Sequence, residues 1–510
     1  MPATGNVLIV GAGPTGLLLA GDLAEAGVPC TVLERRADEP NLTRAFAVHA
    51  RTLEMLDARG LADALIATGH LVRAVQPFRW ARIDLSRLPG RFPYALITPQ
   101  YETERLLAAR ARAAGAEIVE GAEVTGFSQD RDGVEVLVRG QEPRRGAYLV
   151  GADGVRSVVR EVLGLPFPGQ SAVRSVMMAD VRLTDPPPDQ LNAGVDGDGF
   201  AFVVPFGDGW YRVIAWNRAH QLPDSDPVDL DEMRDVMRRV FGTDHGLHDP
   251  RWSSRFHSDE RQVPNYRVGR VFLAGDAAHV HSPAGGMGMN TGLQDAANLG
   301  WKLAADLQGW GRYGLLDTYQ EERHPVGRRV LRLSGAILRG GLVESQALRW
   351  LREGAIAAAT RTPPIVRRAA GAVSGIDIAY PAPRGSHRLT GRRAPDVPLA
   401  GKPTRLYEAL REGKFVLVVA ANDRAVSYLA GHCYPDRVHC SVAGGATRTS
   451  ALVRPDGYIA WATDETAPDR RATEIRRALG YWCGAPADRH TGRTDRTDRT
   501  GPSGDRHPIA

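Results

Sequence analysis

Apolar positions change period several times along the 510-residue chain, and each change predicts an element. Asn6 to Val10 is a short apolar run and Gly11 to Gly16 a glycine turn. Leu17 to Ala26 is helical and stops at Gly27, and Pro29 to Leu33 is a second apolar run. Strand, turn, helix and strand make a βαβ unit, so the chain opens directly into a nucleotide-binding domain. A helix over Thr103 to Ala114 follows, then strands at Glu117 to Val119 and Val134 to Val138, and Tyr148 to Ala152 returns toward the first sheet. From about Ser175 the pattern alternates every second residue, in Val176 to Leu183, Ala201 to Phe206 and Trp210 to Trp216, with the turn Gly207-Asp208-Gly209 between the last two. That texture predicts an antiparallel sheet. An amphipathic helix over Asp229 to Phe241 interrupts it, and the buried strand Arg270 to Ala274 resumes the first domain.

Beyond Leu293 the period is helical to about Ile337 and less regular to about Ala372. Pro381 to Pro398 then reads as a linker. The strand Phe415 to Ala420 and the segment Ala451 to Ala462 predict a small α/β unit, and the Arg-Thr-Asp repeats at 493–498 lie in a low-complexity tail expected to be disordered. The division expected is therefore 1–174 for the first part of a nucleotide-binding domain, 175–265 for an inserted sheet that binds substrate, and 266–380 for the return and a helical region. Residues 381–485 form a C-terminal unit and 486–510 the tail.

Composition narrows the function classes. The net charge of +5 comes with arginines interleaved among acids, which is an ordinary solvated surface and predicts no nucleic-acid partner. No apolar stretch is long enough to span a bilayer and no basic, signal-type start is seen, so a soluble cytoplasmic protein with no membrane partner is expected. Cys30, Cys433, Cys440 and Cys483 are scattered without metal-type spacing, and no metal site is expected. A GxSxG elbow and an HExxH motif are absent, which removes serine-hydrolase and zincin chemistry.

Three glycine-rich segments carry the chemistry. In Gly11-Ala12-Gly13-Pro14-Thr15-Gly16, Gly11 allows the tight turn, Gly13 lets backbone amides approach a pyrophosphate, and Gly16 permits close helix–strand packing. Glu34 stands at the end of the second strand, where an acid hydrogen-bonds a ribose. Gly151-Ala152-Asp153-Gly154-Val155-Arg156-Ser157 is a strand-to-turn segment rich in small residues, and Gly275-Asp276-Ala277-Ala278-His279 follows a buried strand, with Asp276 placed to accept from a sugar hydroxyl.

Together the three segments resemble the fingerprints of the class A flavoprotein monooxygenases, built on the para-hydroxybenzoate hydroxylase fold. The run from Gly275 through Pro283, Gly285, Gly286 and Gly288 to Leu303 is the most specific part of that resemblance, and Met287 stands where many relatives carry Gln. The resemblance implies an α/β fold: a Rossmann-like FAD-binding domain, an inserted antiparallel substrate sheet, and a C-terminal thioredoxin-like domain that lacks a CxxC. It implies that Pro283, Gly286, Gly288, Met289 and Asn290 run beside the isoalloxazine ring, the last two offering backbone amides to its pyrimidine end. Thr15, Arg35, Arg44, Gln100, Val124 and Asp153 are implied as further FAD contacts.

The segments Leu316-Asp317-Thr318-Tyr319, Glu321-Glu322-Arg323-His324-Pro325, Gly391-Arg392-Arg393-Ala394-Pro395 and Arg454-Pro455-Asp456-Gly457-Tyr458 are similar to the three-domain branch that acts on aromatic polyketides, including angucycline, tetracycline and rifamycin-type monooxygenases. That branch implies tightly held FAD, transient NADPH, and a flavin C4a-hydroperoxide that passes one oxygen to a polycyclic aromatic substrate, in a monomer or homodimer. Absence of a second glycine-rich βαβ unit agrees with transient nicotinamide binding. Phe202, Val204, Trp210 and Arg212 are the expected substrate contacts from the alternating sheet, with the face they occupy left open. His279 and His281 flank the flavin segment and are expected to fill space and hydrogen-bond, with the flavin itself doing the catalysis. Rival readings are a Baeyer-Villiger oxygenase, an antibiotic-inactivating monooxygenase, and an FAD-binding auxiliary subunit without turnover. A halogenase-like relative lacks its Trp-x-Trp-x-Ile-Pro segment here.

Overall fold

The structure, a computed structural model, describes residues 5–37, 45–78, 81–188, 191–341, 354–355, 359, 361–420 and 424–486. The first apolar run becomes the centre of a six-stranded sheet. β1 (Val7–Val10) is wholly buried and lies parallel to both β2 (Cys30–Leu33) and the strand Tyr148–Gly151. The full order is Arg267–Val268, Val271–Leu273, Tyr148–Gly151, β1, β2, Glu117–Val119, with only the outermost Arg267–Val268 antiparallel. Strands buried on both faces need apolar residues at every position, which is why these segments read as continuous runs. The helix α1 (Pro14–Glu25) leaves β1 through the glycine turn, with Gly13 in extended conformation at its N-cap and proline at its first turn.

The alternating segment forms an eight-stranded sheet carried by β3 (Gly169–Leu183), β4 (Gly199–Pro205), β5 (Tyr211–Asn217) and β6 (Leu247–Gln262). Its order is His279–Val280, β6, β3, β5, β4, Leu191–Val195, Ala74–Phe78, Ala81–Asp84. Period two separates its faces. Met177, Ala179 and Val181 of β3 pack with Val203 and Val213 against Met233, Val236 and Met237 of the helix Leu230–Phe241. Val176, Met178, Phe200, Val204, Ile214 and Trp216 cluster on the other face.

This sheet exceeds the expected limits of 175–265. It starts at Gly169, takes in the hairpin Ala74–Phe78/Ala81–Asp84 from the first part of the chain, and ends on His279–Val280. The hairpin joins by pairing Val75 and Gln76 with Leu191 and Asn192, partners more than a hundred residues away that no local period reveals. The N-terminal and sheet units are thus sewn together by strand exchange as well as by chain connection.

Three further helices follow: α2 (Gly288–Leu307), which packs on α1, α3 (Asp317–Gly341), which meets β6 and α2, and α4 (Pro363–Ser374), which packs on the strand Ala81–Asp84 of the second sheet. The C-terminal unit is a four-stranded sheet in the order Val438–Val442, Phe415–Val419, Ser450–Val453, Ile459–Thr463, with helices Arg424–Cys433 and Pro468–Cys483. The stretch 381–398, expected as a linker, is exposed over 381–386 and held against its neighbours in its second half. Arg393 bridges to Tyr458 and donates to Glu54 at 3.3 Å, and Ala394 is buried. Buried ions fasten this unit to the helices. Glu322 of α3 accepts from Arg454 at 2.6 and 2.9 Å and from Lys302 of α2 at 2.8 Å, while Arg51 donates to the Asp456 carbonyl at 2.6 Å. Of the tail from 486, residues 487–510 lie outside the described residues.

Candidate active site

Two cavities meet where the return strand leaves the first sheet. The first, of about 460 Å³, is lined by the glycine turn, the end of β2, the Asp153 turn and the loop before α2. Sterics explain its glycines: a Cβ on Gly16 would stand 2.1 Å from the Gly11 carbonyl oxygen, so that helix and turn could not close, whereas a Cβ on Gly13 meets nothing within 4 Å. Gly13 therefore leaves open space above the first turn of α1, where amides without intrahelical partners collect.

Glu34 lines the same cavity, but its carboxylate already accepts from the Ala12 amide at 2.7 Å and from the Arg36 amide and guanidinium at 3.0 and 2.8 Å. Burial pushes this carboxyl up, and those hydrogen bonds outweigh it and hold the group below its usual range. Asp153 differs. Its Oδ2 accepts from the Val159 amide at 3.2 Å, its buried Oδ1 has no partner, and burial raises its pKa.

Of the residues expected to hold the cofactor, Gly11, Gly13, Thr15, Glu34, Arg35, Gln100, Val124, Asp153, Asp276, Pro283, Gly286, Gly288 and Met289 line this one cavity. Gly16 lies behind the lining, pressed on Gly11. Asn290 is also behind it, where it accepts from the His49 amide at 2.9 Å and donates to the carbonyls of Ala47 and Gly286 at 2.8 Å each. Asn290 thus ties the loop before α2 to the strand Ala47–Val48. Arg44 lies outside the described residues.

The second cavity, of about 320 Å³, is apolar. Phe200, Phe202 and Ile214 of the sheet, Val173 and Val176 of β3, and Ile365, Val366 and Ala369 of α4 form much of its wall. Among the expected substrate residues the structure brings only Phe202 to this wall, edge-on to Phe200 at 5.4 Å. Val204 shares the sheet face but is fully buried in the cluster beside it. Arg212 is fully buried, with its guanidinium on Asp180 at 2.7 and 2.9 Å, and Trp210 packs under the guanidinium groups of Arg182 and Arg251. The two cavities share Phe46, Ser258, Ser282, Pro283 and Gly286.

A buried charge array underlies the junction. Asp295 of α2, wholly buried, accepts from Arg323 at 2.6 Å, His279 at 2.7 Å and the Gly275 amide at 3.1 Å. Burial opposes its ionisation, but the Arg323 charge and then His279 keep the carboxyl below its usual range. The array pins the return segment to α2 and was not singled out from sequence, although Asp295 and Arg323 both sit in the motifs quoted above. Asp295→Ala should strand the Arg323 guanidinium in the interior and lower unfolding stability by about 3–5 kcal/mol. Denaturant titration of the purified variant measures that loss.

His281 stacks on His279 with ring centroids 6.0 Å apart, and its Nε2 is buried without a partner. Burial pushes its pKa down to about 4, with the His279 ring adding to the effect. The imidazole is neutral in the fold and protonates near 6.5 in the unfolded chain, so the unfolded state binds more protons below that pH. Its contribution is complete above about 6.5 and is lost on the way down to about 4, with a slope of roughly 1.4 kcal/mol per pH unit. His281→Gln should flatten the fall of the urea midpoint in that window.

The residues present fit a dinucleotide: open space over a helix N-terminus, an unpaired carboxylate oxygen at Asp153, and the start of α2 at the far end. Comparison with known proteins decides which. The sequence matches the family described as "FAD binding domain" over residues 4–334 and that described as "Aromatic-ring hydroxylase, C-terminal" over residues 387–486. The chain belongs to the FAD-dependent aromatic-ring hydroxylases.

The hydroxylase is 39% identical over 515 residues to the 12-dehydrotetracycline 5-monooxygenase/anhydrotetracycline 6-monooxygenase of Streptomyces rimosus subsp. rimosus, an alignment covering 94% of this chain and 99% of that one. It is 39% identical over 491 residues to the rifampicin monooxygenase of Streptomyces venezuelae, again covering 94% and 99%. The solved structure of the anhydrotetracycline hydroxylase OxyS from Streptomyces rimosus superimposes with a TM-score of 0.82 at 39% identity, covering 94% of this chain and 99% of that one. This enzyme is a flavin monooxygenase that acts with O2 on a small molecule.

Proposed function

We propose that this monooxygenase uses NADPH to hydroxylate a polycyclic, phenolic substrate of the aromatic-polyketide class, seated in the apolar cavity with one ring at the junction of the two cavities. The observation that carries this is the shared wall: Phe46, Ser258, Ser282, Pro283 and Gly286 border both spaces, so a ring in the second abuts whatever fills the first. The names of the relatives above support the substrate class.

FAD, when bound, supplies the reductive activation of O2. The chain supplies the rest. The glycine turn and α1 receive a pyrophosphate, and the unpaired Asp153 Oδ1 offers an acceptor to a hydroxyl. The first turn of α2, with Gly288 and Met289 in the lining, sets a positive helix end beside the far part of the cavity. His281 stays neutral there and adds no charge of its own. Phe200 and Phe202 present ring faces and edges that a flat polycycle stacks against, and the apolar wall excludes water that would waste a reactive oxygen. We take the enzyme to work as a monomer or homodimer in the cytoplasm.

The test is NADPH oxidation by the yellow protein with and without anthraquinone-, angucyclinone- and tetracycline-type phenols. Stimulation by such a phenol is expected. Flavin that is reduced at one unchanging rate whatever phenol is added would contradict the reading.

A further inference from the structure

The apolar cavity has an unusual polar inventory. Among its described lining residues no Lys, Arg, Asp or Glu occurs, and the polar side chains are His49, Ser258 and Ser282. Two of them are engaged: His49 Nε2 meets the Gly285 carbonyl at 2.8 Å, and Ser282 Oγ accepts from the Ala284 amide at 3.2 Å. Ser258 is 2% exposed and its Oγ has no hydrogen-bond partner. It sits on β6 opposite Val173 of β3 and borders both cavities.

A buried hydroxyl left unpaired costs about 1–3 kcal/mol, and so does a phenolic oxygen brought into an apolar cavity without a partner. Each supplies what the other lacks. A serine hydroxyl donates and accepts, so it serves a phenol in either protonation state and favours the ionised, electron-rich ring when it donates.

We propose that Ser258 is the substrate-orienting contact, its hydroxyl hydrogen-bonding the oxygen of the ring that lies at the junction of the two cavities. The inference rests on the aromatic-hydroxylase reading and deepens it: the substrate is uncharged along most of its length and carries a ring oxygen at its leading edge. Of the three polar side chains in this wall Ser258 alone has an unpartnered oxygen, and that anchor decides which ring of a polycycle faces the flavin.

The probes are 1-naphthol and naphthalene, which differ by the hydroxyl alone, with binding to FAD-loaded wild type, Ser258→Ala and Ser258→Thr measured by equilibrium dialysis. The preference for naphthol over naphthalene should fall roughly tenfold in Ser258→Ala and persist in Ser258→Thr, which keeps the hydroxyl. Flavin absorbance per protein should be the same in all three, and Ser258→Ala should unfold at no lower denaturant concentration than wild type, since it removes an unpaired group. An unchanged naphthol preference in Ser258→Ala overturns the proposal. So does loss of flavin from that variant with the preference intact, because the hydroxyl then serves the cofactor. A yellow wild type that binds neither probe overturns the reading of the apolar cavity as the seat of a phenolic polycycle, and this inference with it.

Discussion

Gly13→Asp should purify as a folded, colourless protein. Gly13 is the N-cap of α1 with φ −75° and ψ 176°, a conformation any residue adopts, and a Cβ there touches nothing within 4 Å. Aspartate is among the better N-cap residues, so α1 loses nothing. Its carboxylate, however, takes the amides and the positive helix end that a pyrophosphate needs, and adds like charge at close range. At an effective dielectric of about 20 and roughly 4 Å that repulsion is about 4 kcal/mol, or on the order of a thousandfold in FAD affinity. Flavin absorbance after gel filtration, with the circular dichroism spectrum as the control for folding, measures it. Flavin retained in this variant would place the cofactor elsewhere.

Phe202→Asp should have the converse effect, leaving a yellow enzyme that no longer responds to substrate. Phe202 lines the apolar cavity and not the first one, and no cationic side chain among the described residues lines that wall to compensate a carboxylate. An unpaired charge in such a wall disfavours an apolar ligand by several kcal/mol, so phenol-stimulated NADPH oxidation should drop on the order of a hundredfold or more. Unstimulated flavin reduction should change little. The two variants together separate the roles of the two cavities.

Much of the first cavity's lining was legible because its parts are local. Gly11, Gly13, Gly16 and Glu34 lie within one βαβ unit, and 275–290 is one continuous segment, so spacing alone puts them in register. What escaped depends on contacts across the chain. The Asp295–Arg323–His279 array joins a strand end, α2 and α3, and nothing local distinguishes its members from surface ions. Alternation left the face of Arg212 open; it shares the face of Val204 and Ile214, but its β-sheet register sets it opposite Asp180, and that pairing holds it in an ion pair away from the wall. Ser258 lies in a segment, Leu247–Gln262, with too many polar residues to read as a strand, and only its pairing with β3 makes it one. The stretch 381–398 misleads in its second half for the same reason: its prolines and glycines suggest a free connection, whereas Arg393 and Ala394 anchor that half to Glu54 and to the C-terminal sheet.

In the proposed function a ring held in the apolar cavity receives an oxygen atom from O2 activated in the neighbouring cavity. Turnover under ¹⁸O₂ with whichever polycyclic phenol stimulates NADPH oxidation, followed by mass spectrometry of the product, traces that atom. One labelled oxygen per product, lost in Phe202→Asp, is the predicted result. NADPH consumption that yields only hydrogen peroxide, or a product whose added oxygen comes from water, would contradict it.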